Sequence, residues 1–462
     1  MKKVLIAGVS SGSGKTSVTL ALMKALTKKG YNVQPYKIGP DFVDTKFHTR
    51  VTGNDSRNID DFLVPDDDTL AYLFDRDTSD KDIGIIEGVM GLYDGLGTDK
   101  DAHSTAGMAK KLGLPVILVL NGRSMSTSAA AIIKGFINFD SAVDVEAVII
   151  NGVMSDNHFT LIKKAINRYC PGIRVLGYLP FQKEYSLPSR QLGLVPDQEI
   201  EGVDQKIAGL ANILEKHVDI NDLLKVAVEH QASDTNQFWK MIQKENIIPI
   251  KLGIALDDAF NFYYSDNLKL LSDVGIRIIP FSPIKDQRLP QVDAIWIGGG
   301  YPEEFAVELA SNQAIQHQIK QYVLNGKPLF AECGGLMYMG DKLIDKKQNE
   351  FKMTGILPGV STMTERLKQF GYCKAIPQSD CLIGKTGVTV VGHEFHHSVF
   401  EPESGKLNPI LSISKQRDGE IVKSWTGGYQ YQKMFASYLH VHFYQSPEFF
   451  VNFLKELGAI TK

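Results

Sequence analysis

The chain has 462 residues, too many for one ordinary core, and its length points to two or three domains. Hydrophobic residues make up 43% and charged residues 22%, as in soluble globular chains, and the net charge of −3 leaves no basic excess to attract nucleic acid or an anionic membrane. The four cysteines, Cys170, Cys333, Cys373 and Cys381, include no C-x-x-C pair. That excludes a zinc ribbon or disulfide scaffold and suits a reduced cytoplasm. The apolar start Val4–Ala7 stops at Gly8 and runs into a Ser/Gly stretch, so it is not read as a signal peptide. No stretch reaches the roughly 20 apolar residues needed to span a bilayer.

In chain order, Val4–Val9 reads as a buried strand and Ser17–Lys28 as the helix after it. Strands follow at Asn32–Ile38, Ile83–Glu87, Pro115–Leu120, Ala147–Ile150 and Ile173–Leu176. Continuous apolar strands alternating with helices predict a parallel α/β sheet covered on both faces. The pattern weakens between Glu215 and Asn246, a polar, helix-prone stretch read as a linker or domain edge. It restarts at Lys251–Ala255, with strands at Ile276–Pro280, Ala294–Ile297 and Pro328–Ala331. Two domains are therefore expected, 1–245 and 246–462.

Gly8-Val9-Ser10-Ser11-Gly12-Ser13-Gly14-Lys15-Thr16 follows a strand and opens a helix. Small residues let backbone N–H groups close around phosphate oxygens at a helix N-terminus. Gly12, Ser13, Gly14, Lys15 and Thr16 are thus the expected ATP site, with Lys15 on the β/γ-phosphates and Thr16 on Mg²⁺. The loop is a variant: G-x-x-x-x-G-K-[ST] wants glycine where Val9 stands. The same run satisfies G-x-S-x-G around Ser10, but that reading gives Gly14-Lys15-Thr16 no task. Asp41, just past the second strand, and Glu87, ending the next, lie where ligands gather in a parallel sheet and are the expected Mg²⁺ carboxylates. Asp44 and Asp94 follow each of them, as site residues or as turn residues.

Pro328–Ala331 leads into Glu332-Cys333-Gly334-Gly335, a strand-to-helix turn with sulfur at the nucleophile position. Gly334 leaves an N–H for an oxyanion, and Gly299 and Gly300, after Ala294–Ile297, offer a second donor set. The other three cysteines read as small buried hydrophobes. The base that a cysteine needs is among His393, His396, His397, His440 and His442. If Phe435–Phe443 is a strand, His440 and His442 share a face and spacing does not choose between them. His393-Glu394-Phe395-His396-His397 fits the zinc pattern H-E-x-x-H, which works only on a helix, whereas Gly387–Gly392 before it favours a strand.

With both sites read, the chain resembles the cobyrinic acid a,c-diamide synthase family over nearly its whole length. The resemblance rests on Ala7–Thr16, Tyr36–Asp41, Glu87–Gly95, Ser189–Leu194, Ala331–Gly335, Gly392–His396 and Ala436–His440. It implies an N-terminal P-loop NTPase domain similar to dethiobiotin synthetase and a C-terminal class I glutamine amidotransferase domain. It also implies ATP- and glutamine-dependent amidation of the c and then the a carboxylate of cobyrinate, on the way to vitamin B12. Relatives carry their first loop glycine at the place of Gly8, and they carry the Gly392–His396 motif without zinc. By resemblance His440 is the base for Cys333. Many class I glutaminases add a Glu two residues after that His; here the position is His442, and this branch of the class is similar in lacking the Glu.

The expected reaction is phosphorylation of a substrate carboxylate by ATP, with Lys15, Lys37 and Mg²⁺ neutralising charge, followed by displacement of phosphate by ammonia. Asp44 and Asp94 are assigned to substrate positioning or to the ammonia proton. Rival readings are a,c-diamidation of hydrogenobyrinate or nickel sirohydrochlorin, and a regulatory P-loop ATPase with a decayed amidotransferase domain.

Overall fold

The computed structural model describes residues 1–185, 189–190, 193–194, 200–230 and 236–460. The chain divides into two compact units. One comprises Met1–Asp61 and Leu70–Thr235, and the other Phe62–Thr69 and Asn236–Lys462.

The first unit is built on seven parallel strands: β1 (Lys2–Gly8), β2 (Val33–Ile38), β3 (Arg57–Ile59), β4 (Ile83–Gly91), β5 (Val116–Asn121), β6 (Val145–Val153) and β7 (Arg174–Pro180). Their order is β3-β2-β4-β1-β5-β6-β7, and Val228–Glu229 adds a short antiparallel pairing to β1. The central strands are apolar on both faces because helices cover both, as the unbroken runs predict. On one face α1 (Lys15–Lys28) packs with Val203–His217, burying Leu20, Leu22, Leu26, Ile207 and Leu214 in one cluster. The helix α2 (Val43–Thr52) follows β2. The stretch read as a linker is largely helical, holding Ile220–Val226 and Gln237–Ile242.

The second unit carries a six-stranded sheet. Its parallel strands are β8 (Lys251–Ala255), β9 (Arg277–Phe281), β10 (Ala294–Ile297), β11 (Leu329–Glu332) and β12 (Met434–Ser437), in the order β9-β8-β10-β11-β12. Tyr429–Tyr431 closes the edge antiparallel to β12. Two four-stranded sheets lie beyond it. One of them runs in the order Val390–His396, Gln369–Pro377, Leu411–Arg417, Glu420–Gly427. Strand, not helix, therefore carries the H-E-x-x-H pattern. No helix among the described residues is long and apolar enough to cross a membrane. The four cysteines are free and buried.

Candidate active sites

In the first unit the loop between β1 and α1 is shaped by close approaches. Gly14 caps α1 with φ +89°, and a Cβ there would lie 1.8 Å from Asn151 Nδ2. Only glycine meets both demands. Asn151, at the end of β6, donates to Ser13 O at 3.0 Å and holds the loop. A Cβ on Gly8 would come 2.4 Å from Ser13 Oγ, which explains glycine at the variant position. The Ser13 hydroxyl is buried without a hydrogen-bond partner among the described residues, as a donor reserved for a ligand oxygen would be.

Glu87 is the hub of this site. Its Oε1 accepts from Lys15 Nζ at 2.9 Å, Thr16 Oγ1 at 2.6 Å and Lys37 Nζ at 3.0 Å. Its Oε2 pairs with His48 Nε2 at 2.8 Å, and His48 Nδ1 pairs with Ser56 Oγ at 3.1 Å. Burial alone would raise this carboxyl, but Lys15, Lys37 and His48 outweigh it and hold Glu87 well below the ordinary range. Burial lowers the Lys15 ammonium despite Glu87. It also disfavours the Lys37 charge, but Asp44, Glu87 and Asp41 together keep that amine above its ordinary value.

Asp44, in the first turn of α2, bonds Lys37 Nζ at 2.5 Å and is buried with it. Asp41 Oδ1 accepts from the Val43 and Asp44 N–H groups, both at 2.7 Å, and so also caps α2. Burial and the Asp44 charge push Asp41 up to about 6. Asp94 is exposed, and its Oδ2 accepts from Gly91 N at 3.1 Å, a turn contact. Among the described residues no group of three or more His, Cys, Asp or Glu gathers around a metal position. Mg²⁺ needs less, one or two carboxylates with phosphate oxygens and waters. The Thr16 hydroxyl beside Glu87 Oε1 fits that demand.

Sequence reading missed His48 and Asn151. Asn151 carried a faint signal, a polar residue ending the apolar run Val148–Ile150. His48, a lone histidine in a polar helix, carried none.

In the second unit β11 delivers Cys333, whose φ of +49° marks the strained turn of a nucleophile elbow. Ser10 has no such positive φ, which separates the two elbow readings. The turn is pinned on both sides. Cys333 N donates to Ser437 O at 2.7 Å, and Gly335 N to Gly298 O at 3.1 Å. Gly299 and Gly300 follow β10, and Gly300 N would lie 3.3 Å from a Cβ on Gly334, so the three glycines meet. A Cβ on Gly299 would sit 2.5 Å from His440 Cε1, so the imidazole packs directly over that turn.

The strand expected over Phe435–Phe443 ends at Ser437. Beyond it His440 forms a single bridge with His393 through two backbone hydrogen bonds, of 2.9 and 3.1 Å. Their rings stack at 5.0 Å. His442 instead turns its Nδ1 to the Tyr444 N–H at 3.3 Å and caps a short 3₁₀ turn. The break at Ser437 therefore separates two histidines that strand spacing left equivalent. Burial first, then Glu303 and Glu394, raise the Cys333 thiol above its ordinary value. Burial, then His393, hold His440 well below its own. The two rest as neutral thiol and neutral imidazole, the form in which imidazole accepts a proton.

Of the sequence motifs, Gln191 and Leu192 lie outside the described residues. Ser189–Arg190 pairs antiparallel with Gly193–Leu194.

Residues 4–195 match the family described as CobQ/CobB/MinD/ParA nucleotide binding domain. Residues 251–448 match the CobB/CobQ-like glutamine amidotransferase domain. The chain is 57% identical over 461 residues to a cobyrinate a,c-diamide synthase of Limosilactobacillus reuteri, covering 99% of each. It is 50% identical over 454 residues to that of Streptococcus sanguinis, covering 98% of each, and 44% identical over 450 residues to that of Salmonella typhimurium, covering 97% of each. Identity at this level over the full length, with a nucleotide-binding domain followed by a glutamine amidotransferase domain, places the chain in the cobyrinate a,c-diamide synthase family.

Proposed function

We propose that this chain amidates the a- and c-carboxylates of cobyrinate with ATP and glutamine, through acyl phosphate intermediates. Residues 1–245 form the ligase domain and 246–462 the glutaminase domain, working in the cytoplasm. Gly12, Ser13, Gly14, Lys15, Thr16 and Lys37 hold ATP, and Thr16, Asp41 and Glu87 hold Mg²⁺. The metal supplies Lewis-acid neutralisation of the phosphates. The substrate carboxylate attacks the γ-phosphorus and ADP leaves; ammonia then attacks the acyl carbon, the C–O bond to phosphate breaks, and the departing phosphate takes the proton that nitrogen sheds. Lys15 and Lys37 neutralise the oxygens that gain charge. Asp94, exposed beside the loop, serves substrate positioning. Asp44 keeps Lys37 charged next to it and is assigned to the same pocket.

In the glutaminase, His440 takes the thiol proton and Cys333 Sγ attacks the side-chain amide carbon. Gly299, Gly300 and Gly334 face the oxyanion. The proton on His440 passes to the leaving nitrogen, ammonia departs, and water hydrolyses the thioester to glutamate.

One observation carries the reading. The Cys333 turn is intact, at φ +49° with His440 packed over Gly299, which counts against a decayed domain. The test offers cobyrinate, hydrogenobyrinate and nickel sirohydrochlorin separately with ATP and glutamine and weighs the products. A mass matching two amidations of cobyrinate is expected. Turnover of another ring alone reassigns the substrate, and absence of glutamine hydrolysis overturns the enzyme reading.

A further inference from the structure

Among the described residues few other than glycine take a positive φ, and all but two of these are polar. The two are Cys333, the nucleophile read above, and Met90, at φ +44°. Left-handed backbone is costly for a long apolar residue, and such strain collects at functional sites. Gly88 and Gly91 stand on either side of Met90 and would adopt that conformation freely, yet neither has a positive φ. Core packing does not account for the methionine either, which is 38% exposed. Its side chain carries a cost that burial does not offset.

A bulge holds the strained residue in place. β1 advances from Ile6 to Gly8 while β4 advances from Glu87 to Gly91, so Gly88–Met90 loops out of the ladder. Thr105, buried at the start of the helix Thr105–Lys111, takes over the missing pairing: its Oγ1 accepts from Val89 N and donates to Val89 O, both at 2.9 Å. A Cβ on Gly88 would come 2.7 Å from Thr105 Cγ2, so the two are in contact. The bulge lies between Lys37 and the phosphate loop. On one side Lys37 Nζ donates to Gly88 O at 3.3 Å. On the other, a Cβ on Gly8 would stand 3.6 Å from Met90 O, and one on Gly91 would stand 3.2 Å from Ser10 Cα. Met90 is thus fixed at the rim of the phosphate loop, on the strand that carries Glu87, at the end where ligands of a parallel sheet gather.

An apolar side chain at this rim suits one reactant. Phosphates and Mg²⁺ offer charge and ammonia is small, whereas the tetrapyrrole brings a broad apolar ring whose carboxylate has to reach the γ-phosphate. The unbranched, polarizable thioether adapts to such a surface. We propose that Met90 packs against the ring of the tetrapyrrole and is a substrate-binding residue of the ligase site. This rests on the reading of the Glu87 site as the place where ATP activates the carboxylate. The test measures ammonia-dependent amidation of cobyrinate by the full-length wild type, Met90→Ala, Met90→Gly and Met90→Leu, with KM for cobyrinate and for ATP, alongside denaturant unfolding. Alanine and glycine both remove the side chain, and each is expected to raise KM for cobyrinate about 10-fold, as loss of one apolar side chain's contact does. KM for ATP stays near the wild-type value, which reports an intact phosphate loop. Met90→Leu, still apolar, recovers most of the loss. Met90→Gly unfolds at higher denaturant than Met90→Ala, because glycine takes the backbone conformation without strain.

A merely structural role reads differently. KM for cobyrinate then follows stability, with Met90→Gly near wild type and Met90→Ala impaired, and that pattern overturns the proposal. Wild-type KM for cobyrinate in both variants, a rise in KM for ATP equal to that for cobyrinate, or a Met90→Leu no better than Met90→Ala overturns it too. Equal stability of Met90→Gly and Met90→Ala has the same force, because it removes the strain. A wild type that makes no amide from cobyrinate and ammonium removes the substrate reading itself, and this proposal with it.

Discussion

Glu332 Oε1 accepts the Val441 N–H at 3.1 Å, which ties the residue before Cys333 to the residue after His440. Its Oε2 accepts from Trp296 Nε1 at 3.0 Å, on the strand that leads to Gly299 and Gly300. One carboxyl therefore joins the nucleophile, base and oxyanion segments. Glu332→Gln keeps a single acceptor for two donors and leaves one buried N–H against an amide NH₂, at a cost of about 1–3 kcal/mol. Glutamine hydrolysis is expected to fall roughly 10-fold as the three segments lose registry.

The same residue predicts a pH dependence. Burial raises Glu332 to about 8, above the unfolded carboxyl value of about 4.3. Its contribution to stability is complete below the unfolded value, declines as pH rises, and is lost above about 8. Denaturant unfolding of the wild type across that window shows the decline, and Glu332→Gln removes this component of it. Superimposable pH profiles for the two proteins count against a raised Glu332.

Glu87 gathers two ammonium groups, a hydroxyl and an imidazole on one carboxylate. Lys15→Ala, Asp41→Asn and Glu87→Gln are each expected to lower ligation about 100-fold or more, because each is proposed to act on charge at the transferring phosphoryl. Glu87→Gln also removes the counter-charge of buried Lys15, at a cost of about 3 kcal/mol, and a thermal melt reads that loss. Glutamine hydrolysis, in the other unit, persists in all three. A Glu87→Gln protein with unchanged ligation takes Glu87 out of the metal site.

The sequence made the central strands readable for a simple reason. β1, β4, β5 and β6 are buried on both faces, so their apolar runs are unbroken. β3 was missed because its Arg57-Asn58-Ile59 is polar. Burial there is satisfied by partners distant in sequence, such as Arg57 Nη1 on Leu73 O and Arg76 O. Motif chemistry exposed Lys15, Glu87 and Cys333, because the residues flanking each in the chain carry the signature. Asn151, His48 and Glu332 act through contacts far along the chain, which a single sequence does not display. The end of β12 at Ser437 was hidden because Tyr438–Phe443 is as apolar as a strand while its backbone turns to meet His393.

Asp41 predicts how ligation responds to Mg²⁺ and acid. Burial and the neighbouring Asp44 charge raise it to about 6, and if Asp41 holds Mg²⁺ as proposed a proton then competes with the metal for the same carboxylate. Below pH 6 the Mg²⁺ concentration for half-maximal ligation should rise, approaching about 10-fold per pH unit. ATP titrates nearby, so the comparison is with Asp41→Asn titrated with Mg²⁺ over the same pH range, which should lose the part due to Asp41. Identical slopes for the two proteins remove Asp41 from the metal site.

Replacing Cys333 separates the two half-reactions. Glutamine hydrolysis needs a thiolate, which alanine cannot supply, so Cys333→Ala should lose glutamine-dependent amidation altogether. Acyl phosphate formation is proposed to use the loop from Gly8 to Thr16 and the Glu87 network, both in the first unit with its own core. External ammonium should therefore still be incorporated by the variant, with ATP consumed. His440→Ala should behave alike, because burial keeps the Cys333 thiol protonated when its base is gone. The backbone supplies a second readout. At φ +49° alanine keeps the strain of the turn whereas glycine relieves it, so Cys333→Gly should be about 1–3 kcal/mol more stable than Cys333→Ala. Product mass with glutamine or excess ammonium as nitrogen source, together with denaturant unfolding of the two variants, checks both. Full glutamine-dependent activity in Cys333→Ala rejects the nucleophile, loss of ammonia-dependent activity in a folded variant rejects separable half-reactions, and equal stability of the two variants rejects the strained turn.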